Sequence, residues 1–118
     1  MTLLEELETL GVNIQEGLDR LGGNEALYTK LLGSFVKSMA AHYVQPDFDE
    51  TDYADIIEKT HSIKGTSGNL SLTPIYEAYS EIVSLLRAGQ PKQAKEVLET
   101  ILPVQEEIIH CIEKYSSM

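Results

Sequence analysis

The chain of 118 residues has few of the features that mark several large classes of protein. Its one cysteine, Cys111, excludes an internal disulfide framework and fits a reducing cytoplasm. No apolar run approaches the roughly 20 residues that a membrane-spanning helix needs, so we expect no direct membrane contact. Only 9 basic residues stand against 19 acidic ones, giving a net charge of −10. Because that field repels phosphate backbones, we expect no nucleic-acid partner.

Motifs for nucleotides, metals and serine nucleophiles are also missing. Neither a Gly-x-x-x-x-Gly-Lys-[Ser/Thr] loop nor a kinase-type glycine loop occurs, so we expect no nucleotide site. No Gly-x-Ser-x-Gly turn is present. His42, His61 and His110 fall on three different predicted helices without paired ligand spacing, so no metal site is expected. The chemistry of the chain must then come from side chains that need no cofactor of their own.

Glycine, proline and asparagine divide the sequence into helical segments, and no segment has the period-2 pattern of a strand. Helices are predicted at about 3–10, 14–21, 25–42, 52–70, 74–88 and 91–115. Asn24 and Thr73 are the predicted N-caps, and Gly89 is a predicted C-terminal stop. The last segment keeps its period across Pro103, which indicates one kinked helix.

This pattern predicts an all-α chain with a single domain over residues 1–118. Four long amphipathic helices with short connections favour an antiparallel up-down four-helix bundle. The first residues would form an additional short N-terminal helical segment.

The most informative segment runs from Thr60 to Leu70 and reads Thr-His-Ser-Ile-Lys-Gly-Thr-Ser-Gly-Asn-Leu. On a helix, its histidine, lysine and two glycines (His61, Lys64, Gly65 and Gly68) share one face. Each glycine inside a helix costs about 1 kcal/mol relative to alanine. Bare backbone beside an imidazole therefore indicates that another molecule approaches closely.

The helical wheel predicts that His61 faces solvent. The inward set is Tyr53, Ile56, Ile57, Thr60, Ile63, Ser67 and Leu70, and His61 lies roughly 120° from its centre. A neutral imidazole offers one free lone pair, and the Lys64 ammonium would neutralise part of the charge of a phosphoryl group placed there. Glu58, one turn earlier, either orients the other ring nitrogen or is an ordinary solvent-facing acid.

The run from His61 to Leu70 resembles the signature of histidine-containing phosphotransfer (HPt) domains, the four-helix-bundle modules of phosphorelays. The segment Gly-Gly-Asn-Glu-Ala-Leu-Tyr at 22–28, followed by Leu31-Leu32 and Phe35, is similar to the opening helices of HPt domains in bacterial hybrid sensor kinases. The similarity covers most of the chain, but the histidine motif alone is diagnostic.

The resemblance implies a role for each matching residue. His61 would be the phospho-acceptor, Lys64 would stabilise the phosphoryl group, and Gly65 would give the partner clearance. Partner docking would involve Gly68, which extends the cleared surface, Ser62, and Arg87 on the next helix. Two positions depart from the family pattern. Ser71 stands where many members have glycine, and Val83 lies near a position where some relatives place a glutamine bonded to the imidazole.

The reaction implied by the resemblance is reversible phosphoryl exchange between His61 and an aspartate of a response-regulator receiver domain. The receiver alone would hold Mg²⁺, so this chain would need no cofactor and, lacking an ATP site, would not be an enzyme by itself. The expected state is a monomeric, cytoplasmic domain. It is also expected to be a segment of a larger hybrid sensor kinase, which could tether it to the inner membrane.

Two other functions stay open on the sequence. One is a helical adaptor that binds receiver domains without carrying phosphate. The other is the phospho-accepting domain of a chemotaxis-type kinase, which takes its phosphate from an ATP-bound kinase domain.

Overall fold

The structure is a computed structural model that describes residues 1–116. This part of the chain contains six helices and no strand, as the all-α prediction requires. The helices are α1 (Leu3–Thr9), α2 (Ile14–Asp19), α3 (Glu25–Ala41), α4 (Ala54–Asn69), α5 (Thr73–Arg87) and α6 (Pro91–Ser116). The longest dimension, 43 Å, matches the length of α6, because 26 helical residues span about 39 Å.

Local sequence signals explain most helix boundaries. Asn24 caps α3 as predicted, since its side-chain oxygen accepts a hydrogen bond from the Leu27 N–H at 3.0 Å. Gly89 ends α5 as predicted with a φ of +73°, a left-handed conformation that glycine adopts without steric cost. The amides of Gly89 and Gln90 then bond the carbonyls of Leu86 and Leu85, as in a Schellman motif.

Two other predicted signals had different outcomes. The assignment of Thr73 as the N-cap of α5 was wrong by one residue. Leu72 is the N-cap, and Thr73 is the first helical residue, its hydroxyl donating to the Ser71 carbonyl at 3.2 Å. The prediction of a single helix across Pro103 is confirmed. Pro103 lies on the exposed side, where solvent can reach the backbone carbonyl that proline leaves unbonded.

The packing of the helices places α4 between two neighbours. Helix α4 contacts α3 and α5, and α6 likewise contacts α3 and α5. Helix α1 packs against α6 and α2, and α2 packs against α3. The largest fully buried side chains are Leu7, Tyr28, Leu32, Ile63, Leu72, Ile75, Tyr79, Ile82, Leu86, Leu98, Ile108 and Ile112. The helix that carries His61 is thus held by core contacts on two sides.

At the start of α3 a tyrosine, and not the leucine beside it, occupies the core position. Leu27 is 38% exposed, whereas Tyr28 is fully buried. The Tyr28 hydroxyl donates to the Leu70 carbonyl at 2.6 Å, which satisfies the buried phenol at the end of α4. Gly17 provides the space, since a Cβ there would lie 2.8 Å from the Tyr28 ring.

Over residues 1–116, no helix is both long enough and apolar enough to cross a bilayer.

Candidate functional site

The buried face of α4 includes two hydroxyl side chains that are satisfied within the helix. Thr60, Ile63 and Ser67 are all buried, as the wheel predicted. The Thr60 hydroxyl donates to the Ile56 carbonyl at 2.8 Å, and the Ser67 hydroxyl donates to the Ile63 carbonyl at 2.6 Å. Because these bonds return to the same helix, α4 can bury polar side chains without a partner from another element.

His61 projects from the opposite side of α4 and is exposed. Within residues 1–116, neither nitrogen of its ring takes part in a hydrogen bond or an ion pair. Glu58 is exposed as well and does not bond the imidazole. Lys64 is half-buried, and its ammonium forms no ion pair in the part of the chain that the structure describes. Both groups are therefore available to a molecule that approaches this face.

Gly65 lies in open space beside His61. Apart from its two chain neighbours and the backbone of its own helix, no atom of the described residues would lie within 4 Å of a Cβ built at Gly65. The backbone at this position is therefore uncovered, which is the geometry that clearance for a partner requires. Ser62, on the same turn, is half-buried, and its carbonyl accepts the Thr66 hydroxyl at 3.1 Å.

Gly68 has different surroundings from those the sequence suggested. A Cβ at Gly68 would lie 2.8 and 2.9 Å from Cδ1 and Cε1 of the Tyr76 ring. The space above Gly68 is thus filled by a tyrosine of the same chain, which is itself 40% exposed. Gly68 does not extend the cleared surface. Because it has no side chain, the Tyr76 ring can pack directly against the backbone of α4.

A groove of about 570 Å³ runs along this face of α4 and onto α5 and α2. Its lining combines the strip of α4 with polar residues from the neighbouring segments. These residues are Asn13, Glu16, Arg20, His61, Lys64, Gly65, Gly68, Asn69, Ser71, Thr73, Tyr76 and Glu77. Two cations and two carboxylates thus line the same groove as the imidazole.

One end of the groove is closed by a cluster that we call the α2 latch, formed by Glu16, Arg20 and Ser71. The Arg20 guanidinium donates to the carbonyls of Gly68 and Asn69 at 3.0 and 3.4 Å, and also to the Ser71 hydroxyl. A Glu16 oxygen accepts from Arg20 at 3.0 Å and from the Ser71 hydroxyl at 2.7 Å. A cation at these carbonyls complements the negative end of the α4 dipole.

The hydrogen bonds of the latch also lower the pKa of the Glu16 carboxyl. Hydrogen bonds from the Ser71 hydroxyl and from Arg20 hold the pKa of the Glu16 carboxyl below its ordinary value of 4.5. The ionised form is therefore the one that the latch stabilises.

Ser71 adopts a φ of +55°, in the left-handed region that favours glycine. Ser71 is one of the two positions at which the sequence departs from the pattern of the HPt domains that it resembles, and the structure explains how serine is accommodated. The Ser71 carbonyl accepts the Asn13 N–H at 3.0 Å, and its hydroxyl belongs to the latch. These bonds offset the conformational cost of a residue with a side chain in this turn.

Two other residues from the sequence analysis lie away from the groove. Arg87 is the last residue of α5 and is exposed, and it is not among the described residues that line the groove. Val83 is buried in the core and has no polar group to offer an imidazole. The structure therefore brings together His61, Lys64, Gly65 and Gly68, but does not bring Arg87 to them.

Arg20 and Tyr76 also line the groove, and neither was predicted from the sequence to do so. Arg20 is 48 residues from Gly68 along the chain, so no local spacing could connect the two. Tyr76 lies on the next helix, so its contact with Gly68 depends on how α4 and α5 pack and not on spacing within one helix.

Comparison with known proteins gives no relative: no family model, curated protein or solved structure matches the chain. Over residues 1–116, no cluster of three or more His, Cys, Asp or Glu side chains is arranged to hold a metal ion.

Proposed function

We propose that the chain is a phosphorelay intermediate. His61 accepts a phosphoryl group from a receiver-domain aspartate and passes it to the aspartate of a response regulator. The observation that carries this proposal is an exposed imidazole that forms no hydrogen bond or ion pair within residues 1–116, close to a glycine with open space above it. The HPt-like motif at 61–70 supports the same assignment.

The fold that we propose for this function is an antiparallel bundle of α3, α4, α5 and α6, with α1 and α2 added at the N-terminal side. Each of the four long helices contacts two others, in the cyclic order α3, α4, α5 and α6. Three residues connect α4 to α5, and three connect α5 to α6, which favours antiparallel neighbours. A site on a packed helix keeps its geometry better than a site on a loop.

The transfer step needs little from the chain beyond position and charge. The imidazole lone pair attacks the phosphorus in line, an N–P bond forms, and the P–O bond to the receiver aspartate breaks. The aspartate leaves as a carboxylate with the electron pair, and the reverse step phosphorylates the next receiver. The Lys64 ammonium stabilises the phosphoryl oxygens, and the receiver supplies Mg²⁺ and the acidic pocket.

The proposed partners are receiver domains that dock over the open backbone at Gly65. No nucleotide enters this scheme, so the chain is a phosphotransfer module and not a kinase by itself. We propose a cytoplasmic, monomeric domain that belongs to a larger hybrid sensor kinase.

The test is phosphoryl transfer from receiver domains that have been charged with a small-molecule phosphodonor. Labelling should be acid-labile and base-stable in the wild-type chain, and it should be absent in His61→Gln. His110→Gln is the matched control, because His110 is also an exposed histidine on a helix. This control should be labelled like the wild type. Retained label in His61→Gln would overturn the proposal.

The same assay separates the two alternatives. A phosphate-free adaptor would bind receivers and never become labelled. A chemotaxis-type domain would be labelled by a kinase catalytic domain with ATP and not by a charged receiver.

A further inference from the structure

A second groove lies between α5 and α6, on the other side of α5 from the His61 groove. Its volume is about 440 Å³. The floor is apolar and the rim is acidic. The floor residues are Pro74, Ala78, Val97, Ile101 and Val104, and the rim residues are Glu77, Glu81, Glu96 and Thr100.

The floor contains two branched aliphatic residues that the core leaves partly uncovered. The apolar period of the sequence places Val97 and Val104 in the inward stripe of α6. In the structure both are half-buried, while Leu98 and Gln105 occupy the fully buried positions next to them. Val97 and Val104 therefore present apolar surface between the two helices, where a partner would remove it from water.

The rim carries uncompensated negative charge. Within residues 1–116, none of the carboxylates of Glu77, Glu81 and Glu96 forms an ion pair, and no lysine or arginine lines the groove. Glu77 and Glu81 lie at i and i+4 on α5, a spacing at which like charges repel each other. A cationic partner would relieve this repulsion.

We propose that this groove binds a short amphipathic helix with a basic polar side. The segment from Pro74 to Glu81 is about 10 Å long, so the occupant makes contact over about two helical turns. Aliphatic side chains of the bound helix, at its positions i, i+3 or i+4 and i+7, pack against Ala78, Val97 and Val104 of this chain. Lysine or arginine residues on both flanks pair with the glutamates of the rim.

The charge of the chain argues against other occupants of the same shape. A second copy of this chain brings a further net charge of −10, and its field opposes that of the rim. An anionic membrane surface is repelled for the same reason. The occupant is therefore a basic segment of another protein.

This site is distinct from the His61 groove, although Glu77 lines both. It goes beyond phosphotransfer and does not depend on it, because none of its residues takes part in the proposed transfer step. Binding should therefore be unchanged in His61→Gln.

The probe is a fluorescently labelled leucine–lysine peptide with leucine at i, i+3, i+4 and i+7, and binding is followed by anisotropy and by amide NMR shifts of the full chain. Shifts should be largest at Ala78, Val97 and Thr100. Glu81→Lys combined with Glu96→Lys should weaken binding by at least about tenfold. Ala78→Gln places a longer, uncharged side chain on the apolar floor of the groove and should also weaken binding of the peptide.

The matched control combines Glu99→Lys and Glu113→Lys, which changes the net charge equally at exposed positions of α6 outside this groove. This control should change the affinity by less than about threefold. Circular dichroism reports whether each variant keeps its helical content. Equal losses in the two double variants, equal binding of a peptide with scrambled leucines, shifts centred elsewhere, or self-association through this groove would each overturn the proposal.

Discussion

Gly65 and Gly68 lie three residues apart on the same helix and have opposite surroundings. Beyond its chain neighbours and its own helix backbone, a Cβ at Gly65 would meet no described atom within 4 Å, whereas one at Gly68 would lie 2.8 Å from the Tyr76 ring. We call His61, Lys64 and Gly65 the open half of the strip, and Gly68, Tyr76 and the α2 latch the closed half. The comparison teaches that two glycines on one helix face can have different structural roles: Gly65 leaves the backbone open, and Gly68 makes room for a ring of the same chain.

The division also assigns different tasks to the two halves. The open half presents the imidazole and a bare backbone, so substitutions there should affect transfer and leave folding intact. The closed half fixes the end of α4 through side chains from α2 and α5, so substitutions there should affect stability first. The following variants test this separation.

The largest expected effect comes from filling the open half. Gly65→Arg should slow the proposed phosphoryl transfer by at least about tenfold, because the long side chain occupies the open space over which we propose that a receiver docks. Folding should be unaffected, since the position is exposed. The measurement is the transfer rate from a charged receiver, with Gly65→Ala as the control that adds only a methyl group. A wild-type rate in Gly65→Arg would refute the clearance argument.

The next effect distinguishes the two glycines by the sign of the change in stability. Gly65→Ala should raise the free energy of unfolding by about 0.5–1 kcal/mol, because alanine is the better helix former and the space is free. Gly68→Ala should lower it by about 1 kcal/mol, because the added Cβ displaces the Tyr76 ring. Denaturant unfolding of both variants gives the comparison.

A double variant shows whether Tyr76 causes this difference. In a Tyr76→Ala background, Gly68→Ala should become stabilising, like Gly65→Ala. If Gly68→Ala stays destabilising without the ring, Tyr76 is not the reason for the glycine.

A smaller effect is expected at the latch. Arg20→Ala should lower the free energy of unfolding by about 1 kcal/mol, because the carbonyls at the end of α4 lose charge-assisted hydrogen bonds that are partly open to solvent. Arg87→Ala is the matched control, an exposed arginine at the end of α5 that does not line the groove, and should lower the free energy of unfolding by clearly less, since it loses only an exposed charge near the α5 dipole. Transfer at saturating receiver should be nearly unchanged in both. If the two variants had equal free energies of unfolding, the claim that the α2 latch stabilises the end of α4 would be wrong.

The smallest effect is expected in how the free energy of unfolding changes with pH below neutrality, through the carboxyl group of Glu16. The folded chain holds the pKa of Glu16 below 4.5, so the contribution of its carboxylate is present above pH 4.5 and is lost as the pH falls through the lowered value. Glu16→Gln should therefore be less stable than the wild type near neutral pH, and the difference should shrink on acidification. Thermal melts over a pH series measure this. A difference that grows on acidification would contradict the assignment.

Periodicity predicted the faces of α4 well because they depend on that helix alone. The inward positions of Thr60, Ile63 and Ser67 and the outward position of His61 follow from 100° per residue. The Asn24 cap and the Gly89 stop are local signals as well. The sequence could therefore place the open half of the strip without knowledge of the rest of the fold.

The closed half was not predictable in the same way. The Tyr76 ring reaches Gly68 from the next helix, and Arg20 reaches the same residue from 48 positions earlier. Such contacts depend on how helices pack, not on spacing within one of them. On α6, the choice between Val97 and Leu98 as the buried residue likewise depends on the rotation of the helix against α5.

The central claim is tested most directly by locating the phosphoryl group on the chain. The wild-type protein, charged by a phosphorylated receiver, is examined by NMR of its three histidine side chains. The account predicts one phosphoryl group, bonded to a ring nitrogen of His61, with His42 and His110 unchanged. A phosphoryl group on either of those histidines or on a carboxylate, or a receiver that binds without transferring phosphate, would contradict it.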